Sequence, residues 1–304
     1  MQNIFIHPGF SKSGTTTLQK IFTNLKNFES ISKPYVVPEY RKFHDLLCGQ
    51  EFPSNFDKIK KEFENINKSN KPNIIISNES INGAIHKFNE KIIEYTFELF
   101  PNAKIIFSIR NQFDAIKSHY ANHGMQILGL PSPHSGIMVK FDDYFEFNLK
   151  NLRKSYFQVI NYNNFISLWE KYYKKENILI LPLELMVSDK KKYFENLYKF
   201  LNYDFQNLDF SSDDLQLNKR NSIQIIYYNK MVNFIKTNLP FLRKFKIIKN
   251  FNAILIKYFQ NKKKLDVKLS KKQIEIIKNI YGESNKRLNE KYKLKLENFG
   301  YIFD

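Results

Sequence analysis

Apolar residues along this chain fall into two kinds of pattern, short uninterrupted runs and longer stretches at helical spacing. Four runs read as buried strands bounded by polar loops: Asn3–His7, Ile74–Ser77, Lys104–Ile109 and Asn177–Leu181. Helical spacing covers Thr16–Leu25, Phe56–Asn67, Asn89–Phe100, Phe113–Asn122 and Phe165–Lys174. Beyond Leu181 the pattern is helical throughout, over Lys190–Leu201, Ile223–Lys236, Phe251–Phe259 and Lys271–Tyr292. Strands alternating with helices predict an α/β fold, a parallel sheet flanked by helices on both faces. The expectation is one domain over residues 1–304 with a helical C-terminal extension from about 220. In such sheets ligands sit beyond the carboxyl ends of the strands.

Composition changes this picture little. With 304 residues, 42% of them hydrophobic, the chain can bury a sizeable core. The formal net charge is +18, yet only six of the 48 basic residues are Arg, where readers of phosphates and bases usually favour Arg's planar fork. Charge therefore does not by itself point to nucleic acid, and no nucleic-acid partner is expected. The lone cysteine, Cys48, rules out an intramolecular disulfide and a thiolate metal cluster. The first apolar stretch, Ile4–Ile6, runs at once into a Gly/Ser/Thr loop rather than a cleavable signal. No apolar run approaches the ~20 residues of a membrane span, so a cytoplasmic protein is expected. Lys244–Lys264, alternately basic and apolar, reads either as a surface helix or as a peripheral contact with an anionic membrane.

Candidate chemistry starts where the first strand ends, in His7-Pro8-Gly9-Phe10-Ser11-Lys12-Ser13-Gly14-Thr15-Thr16-Thr17-Leu18. A strand, a glycine-bearing loop and a helix start form an anion site, because free N–H groups and the helix dipole converge there. Lys12 adds a point charge and Thr15, Thr16 and Thr17 add hydroxyls. The loop is P-loop-like but not that of the nucleoside triphosphatases, which place Lys directly after the second glycine. Here Thr15 holds that position, and no carboxylate suited to Mg²⁺ follows a hydrophobic strand.

Lys12-Ser13-Gly14-Thr15-Thr16-Thr17-Leu18 resembles the 5′-phosphosulfate loop of sulfotransferases that use 3′-phosphoadenosine-5′-phosphosulfate (PAPS), and the type resembled is the bacterial, carbohydrate-directed one. Ile105–Tyr120 is similar to that family's 3′-phosphate site, a strand ending in Arg110 with Ser118 eight residues on. Ile180-Leu181-Pro182-Leu183-Glu184-Leu185-Met186 and Tyr281-Gly282-Glu283-Ser284-Asn285 extend the resemblance toward the C-terminus. It implies PAPS as co-substrate with no metal, Lys12, Ser13, Gly14, Thr15, Thr16 and Thr17 on the 5′-phosphate, and Arg110 and Ser118 on the 3′-phosphate. The late basic loop of the family has no clean match. Lys219 and Arg220, in Leu217–Ser222, are the candidates, as a phosphate contact or as a solvated turn. Ser11 stands where many members have Pro.

The resemblance also implies transfer of a sulfuryl group to a hydroxyl acceptor, which needs a base. Glu79, just past the strand Ile74–Ser77, stands where carbohydrate sulfotransferases often carry a catalytic Glu. His119 and His123 after Ser118 are rivals, and His134 lies in a Gly/Pro-bearing loop, 129–136, that reads as an acceptor segment or lid. His7, His44 and His86 read as structural. A glycan or glycolipid acceptor is expected. Two other readings stand beside this one: a P-loop nucleotide kinase or ATPase with a divergent loop, and a non-catalytic protein that binds polyanions.

Overall fold

A computed structural model describes residues 2–32, 38–47, 56–66, 71–82, 90–123, 139–204 and 267–303. Five strands, β1 (Asn3–His7), β2 (Phe28–Ser32), β3 (Asn73–Ser77), β4 (Lys104–Ile109) and β5 (Ile178–Pro182), form one parallel sheet in the order β2-β3-β1-β4-β5. The four strands expected from the apolar runs are present within a residue at each end. The fifth, β2, was not anticipated: Phe-Glu-Ser-Ile-Ser lies at the sheet edge, where one flank needs no apolar cover.

Successive residues of the central strands face opposite sides. Phe5, Ile75 and Ile106 join one core with Leu18, Phe22, Leu183, Phe194 and Leu197, while Ile6, Ile74, Ile105 and Phe107 join the other with Phe10, Tyr162, Trp169 and Tyr281. Burial on both faces explains why β1, β3 and β4 are continuous apolar runs rather than alternating ones.

The helices anticipated at 16–25, 56–67, 89–100 and 113–122 appear as α1 (Thr15–Asn24), α3 (Phe56–Ile66), α4 (Glu90–Leu99) and α5 (Gln112–His123). α2 (Pro38–Leu47) and α6 (Phe141–Lys150) were not anticipated. Tyr40, Phe43, His44 and Leu47 nevertheless hold helical spacing on the buried side of α2. The short α7 (Tyr156–Val159) precedes α8 (Tyr162–Trp169), which begins and ends earlier than the expected 165–174. It stops where the N–H groups of Glu170, Tyr172 and Tyr173 fold back onto Ile166 and Trp169, whose indole is fully buried. α9 (Leu183–Ser188) and α10 (Lys190–Leu201) follow β5, and α11 (Lys271–Tyr292) opens on a Ser270/Gln273 capping box.

α11 is tied to α5 by a reciprocal buried amide pair, Gln112 with Asn285, at 2.9 and 3.1 Å. The helical patterns at 223–236 and 251–259 lie outside the described residues, as does Lys244–Lys264. Among the described residues no helix is long and apolar enough to cross a membrane.

The chain leaves β1 toward β2 on one side and leaves β4 toward β5 on the other. The carboxyl ends of β1 and β4 therefore flank the topological switch point, where open α/β sheets place their ligands.

Candidate active site

The β1–α1 loop is built to leave backbone N–H groups uncovered. Lys12 and Gly14 have φ of +68° and +83°, with Ser13 between them outside the positive region and its N–H turned back to the Phe10 carbonyl at 3.2 Å, an alternation of the kind that forms anion-binding backbone nests. A lysine in the left-handed region is uncommon and marks a backbone held by its surroundings. Gly14 caps α1 without a side-chain bond, so the helix start stays open to an anion. Methyl groups added at Gly9 or Gly14 would lie 2.8 Å from Thr15 Cγ2 and 2.7 Å from Leu183 Cδ1. Ser13 is fully buried and its hydroxyl has no hydrogen-bond partner of normal geometry among the described residues. Thr15 and Thr17 are buried and Thr16 is exposed.

Two tyrosines from the far face fasten this loop. Tyr156 Oη donates to the Ser11 carbonyl at 3.0 Å. Tyr162 Oη donates to the Arg110 carbonyl at 2.7 Å and accepts from the Arg110 N–H at 3.3 Å, while its ring meets Phe10 edge-on at 4.8 Å. Neither contact leaves a local sequence signal.

Arg110 follows β4 directly and reaches across the switch point, its Nη1 donating to the Lys12 carbonyl at 3.2 Å. The next residue, Asn111, caps α5 by accepting the Asp114 N–H at 2.9 Å. Its own N–H and side-chain amide donate to Glu184 Oε1 at 2.9 and 3.0 Å. Burial pushes the Glu184 carboxyl up, against the bonds from Asn111. Glu184, which the sequence resemblance marks only as one residue of Ile180–Met186, anchors the residue beside Arg110. Ser118 lies two turns into α5, 6% exposed.

Glu79 opens a short 3₁₀ turn, Glu79–Asn82, after β3. It accepts a hydrogen bond from the Thr15 hydroxyl and so stands against the phosphate-loop helix. Lys12 feels both Glu79 and Arg110: burial lowers its pKa, Glu79 opposes that shift and Arg110 adds to it. Lys12, Arg110 and Glu79, distant in sequence, thus share one electrostatic neighbourhood.

Beneath the loop His7 bridges three strands, with Nδ1 2.8 Å from Ser77 Oγ and Nε2 3.3 Å from Ser108 Oγ. Burial lowers its pKa to about 3, so it is neutral. His119 is 6% exposed, stacks on Tyr156 at 3.7 Å and places Nδ1 2.7 Å from Tyr144 Oη. It backs the tyrosine that holds the loop. His123 ends α5, and its side chain lies outside the described residues, as do His134, Lys219 and Arg220.

These residues fit a phosphorylated nucleotide. The loop offers an open helix start, a buried Ser13 hydroxyl and a glycine cradle, with one cation on each side of the switch point, Lys12 and Arg110. Among the described residues no group of three or more His, Cys, Asp or Glu side chains is gathered to hold a metal.

The family model described as "Sulfotransferase domain" matches residues 3–293. No curated protein matches the chain. Among solved structures, a sulfotransferase from Alicyclobacillus acidocaldarius is 14% identical with a TM-score of 0.50, over 78% of this chain and 95% of that one. A mouse sulfotransferase complexed with PAP is 15% identical with a TM-score of 0.48, over 98% of this chain and 89% of that one. At these identities the bacterial structure supports the fold alone.

Proposed function

The chain belongs to the sulfotransferase family, and on that premise we propose that it sulfates a hydroxyl of a carbohydrate or glycolipid with PAPS as donor. Sulfuryl transfer from a nucleotide donor to a hydroxyl acceptor is the activity of the family. PAPS as the donor, the roles given to each residue and a glycan acceptor make up the proposal. It is carried by the convergence of Lys12, Arg110 and Glu79 at the carboxyl edge of β1, β4 and β3, with Arg110 Nη1 3.2 Å from the Lys12 carbonyl.

PAPS, when bound, supplies a sulfuryl group on a phosphate leaving group. The residues that would hold its 5′-phosphate are Lys12, Ser13, Gly14, Thr15, Thr16 and Thr17. Burial strips water from the Lys12 ammonium, so its field on an anion is less screened than in bulk water. Arg110 and Ser118 would hold the 3′-phosphate, with Lys219 and Arg220 as further contacts. Arg110 brings the planar fork suited to phosphate oxygens; Tyr162 holds both its N–H and its carbonyl, and the next residue, Asn111, is anchored to Glu184.

Glu79 is assigned as the base that takes the acceptor's proton. Its carboxylate lies beside Thr15, next to the place where the leaving phosphate would sit. His119, enclosed by Tyr144 and Tyr156, is better suited to supporting the loop than to meeting an acceptor. The glycan acceptor rests on the position of Glu79, which follows β3 as in the carbohydrate-directed enzymes this sequence resembles.

The test is transfer from sulfur-35 PAPS to a panel of neutral polysaccharide, lipopolysaccharide, glycolipid and a simple phenol. Label should enter a saccharide acceptor, and Glu79→Gln should bind donor normally while losing about 100-fold or more in turnover, the usual share of a general base. Labelling of the phenol alone contradicts the acceptor assignment. Unchanged turnover in Glu79→Gln removes it as the base.

A further inference from the structure

A carboxylate on a one-turn 3₁₀ segment is held only as firmly as the residue that launches the turn, here Asn78. That residue is 5% exposed and bonded through four of its groups, its carbonyl accepting the Ile81 N–H at 3.2 Å inside the turn. Its N–H donates to the His7 carbonyl at 3.2 Å, continuing the pairing of β3 with β1. Its Oδ1 accepts the Ser80 N–H at 2.9 Å and closes the turn around Glu79. Its Nδ2 lies 3.2 Å from Nδ1 of His44, on α2.

His44 is 1% exposed, and its other nitrogen, Nε2, lies 2.9 Å from the Ile31 carbonyl of β2. A carbonyl oxygen only accepts, so Nε2 carries the hydrogen. Nδ1 is then a bare nitrogen able to accept from the Asn78 amide. The amide's orientation is fixed independently, because Oδ1 is committed to Ser80. Donors and acceptors therefore alternate from the edge strand β2 through His44 and Asn78 to the turn that carries Glu79. Turning the Asn78 amide over would set its NH₂ against the Ser80 N–H.

We propose that His44, held as the Nε2–H tautomer by Ile31, is a positioning residue for the reaction: through Asn78 it fixes the turn that aims Glu79 at the phosphate loop. This rests on Glu79 as the base. His44 itself touches neither donor nor acceptor, and the sequence alone marks it only as a structural histidine.

Two near-isosteric substitutions separate its two bonds. His44→Asn keeps an acceptor where Nδ1 stood but cannot reach Ile31. His44→Gln keeps a donor toward Ile31 but brings no acceptor to Asn78. The readouts are 3′-phosphoadenosine-5′-phosphate affinity by calorimetry, imidazole ¹⁵N–¹H correlations of the wild type, and single-turnover release of labelled sulfate from PAPS to water, an acceptor always present. The wild type should show His44 as one neutral tautomer protonated at Nε2. Both variants should bind the nucleotide within a few-fold of wild type, since the β1–α1 loop is untouched. His44→Gln should lose up to about 100-fold in turnover, the scale of a ~1 Å misplacement, and His44→Asn should recover most of it.

An Nδ1–H tautomer, equal turnover in the two variants, or losses that track nucleotide affinity would overturn the proposal. Glu79→Gln serves as the control for the premise: wild-type turnover there refutes the base itself. If Glu79→Gln is impaired and His44→Gln is not, only the positioning role falls. A further loss when His44→Gln is added to Glu79→Gln would show an action that bypasses Glu79, and would overturn it as well.

Discussion

A methyl group at position 14 meets two separate obstacles. Gly14 has φ of +83°, a conformation that costs an L-residue about 1–2 kcal/mol. The new Cβ would also stand 2.7 Å from Leu183 Cδ1, and Leu183 is 8% exposed within the core shared by Leu18 and Phe194. Forcing that side chain to repack costs about 1–3 kcal/mol. Gly14→Ala should therefore destabilise the fold by about 2–5 kcal/mol, read from the urea midpoint at an unchanged slope. The two parts separate in a cycle with Leu183→Ala, which removes the obstructing methyl. That single change costs about 2–5 kcal/mol as a cavity, yet the double variant should fall short of the sum by about 1–3 kcal/mol, because the clash is gone. Unfolding of Gly14→Ala at the wild-type midpoint, or strict additivity in the cycle, would refute the packing argument.

Two further outcomes follow from the site. His7 is neutral in the fold with a pKa near 3, against 6.5 unfolded, so between those values the unfolded chain binds more protons and stability rises with pH. Acidification below about 6.5 should cost up to ~1.4 kcal/mol per pH unit from this group, and His7→Gln should flatten that acid limb in urea titrations; an unchanged slope contradicts a neutral buried imidazole. Arg110→Lys keeps the charge but loses the fork that reaches Lys12, so calorimetry should show affinity for 3′-phosphoadenosine-5′-phosphate falling about tenfold or more while AMP binding stays nearly constant. Equal losses for both nucleotides would move Arg110 away from the 3′-phosphate.

What the sequence disclosed and what it hid have a common physical root. β1 and β4 are covered on both faces, so their runs are unbroken, and each delivers its charged residue, Lys12 or Arg110, within a few positions of the strand end. β2 at the edge carries Glu29 and Ser30 and lost its signature to solvent. The hydrogen bonds that give the site its shape join residues far apart in the chain: Tyr162 with Arg110, Tyr156 with Ser11, Glu184 with Asn111 and His44 with Asn78. No local period encodes such pairs, and they emerge only once the sheet order brings the strand ends together. That is why Glu79 could be placed on the ligand-bearing edge from sequence, while the histidine behind it read only as structural.

One titration tests the donor site most directly: melting temperature against 3′-phosphoadenosine-5′-phosphate, beside AMP and ATP–Mg²⁺, for the wild type and Lys12→Ala. A ligand at a hundred times its dissociation constant adds about 2.7 kcal/mol, several degrees of melting temperature in a chain of this size. A clear shift with the 3′-phosphorylated nucleotide, a weaker one with AMP and a loss of both in Lys12→Ala are the predicted result. A shift with ATP–Mg²⁺ alone, or one that survives Lys12→Ala unchanged, would contradict the donor site described here.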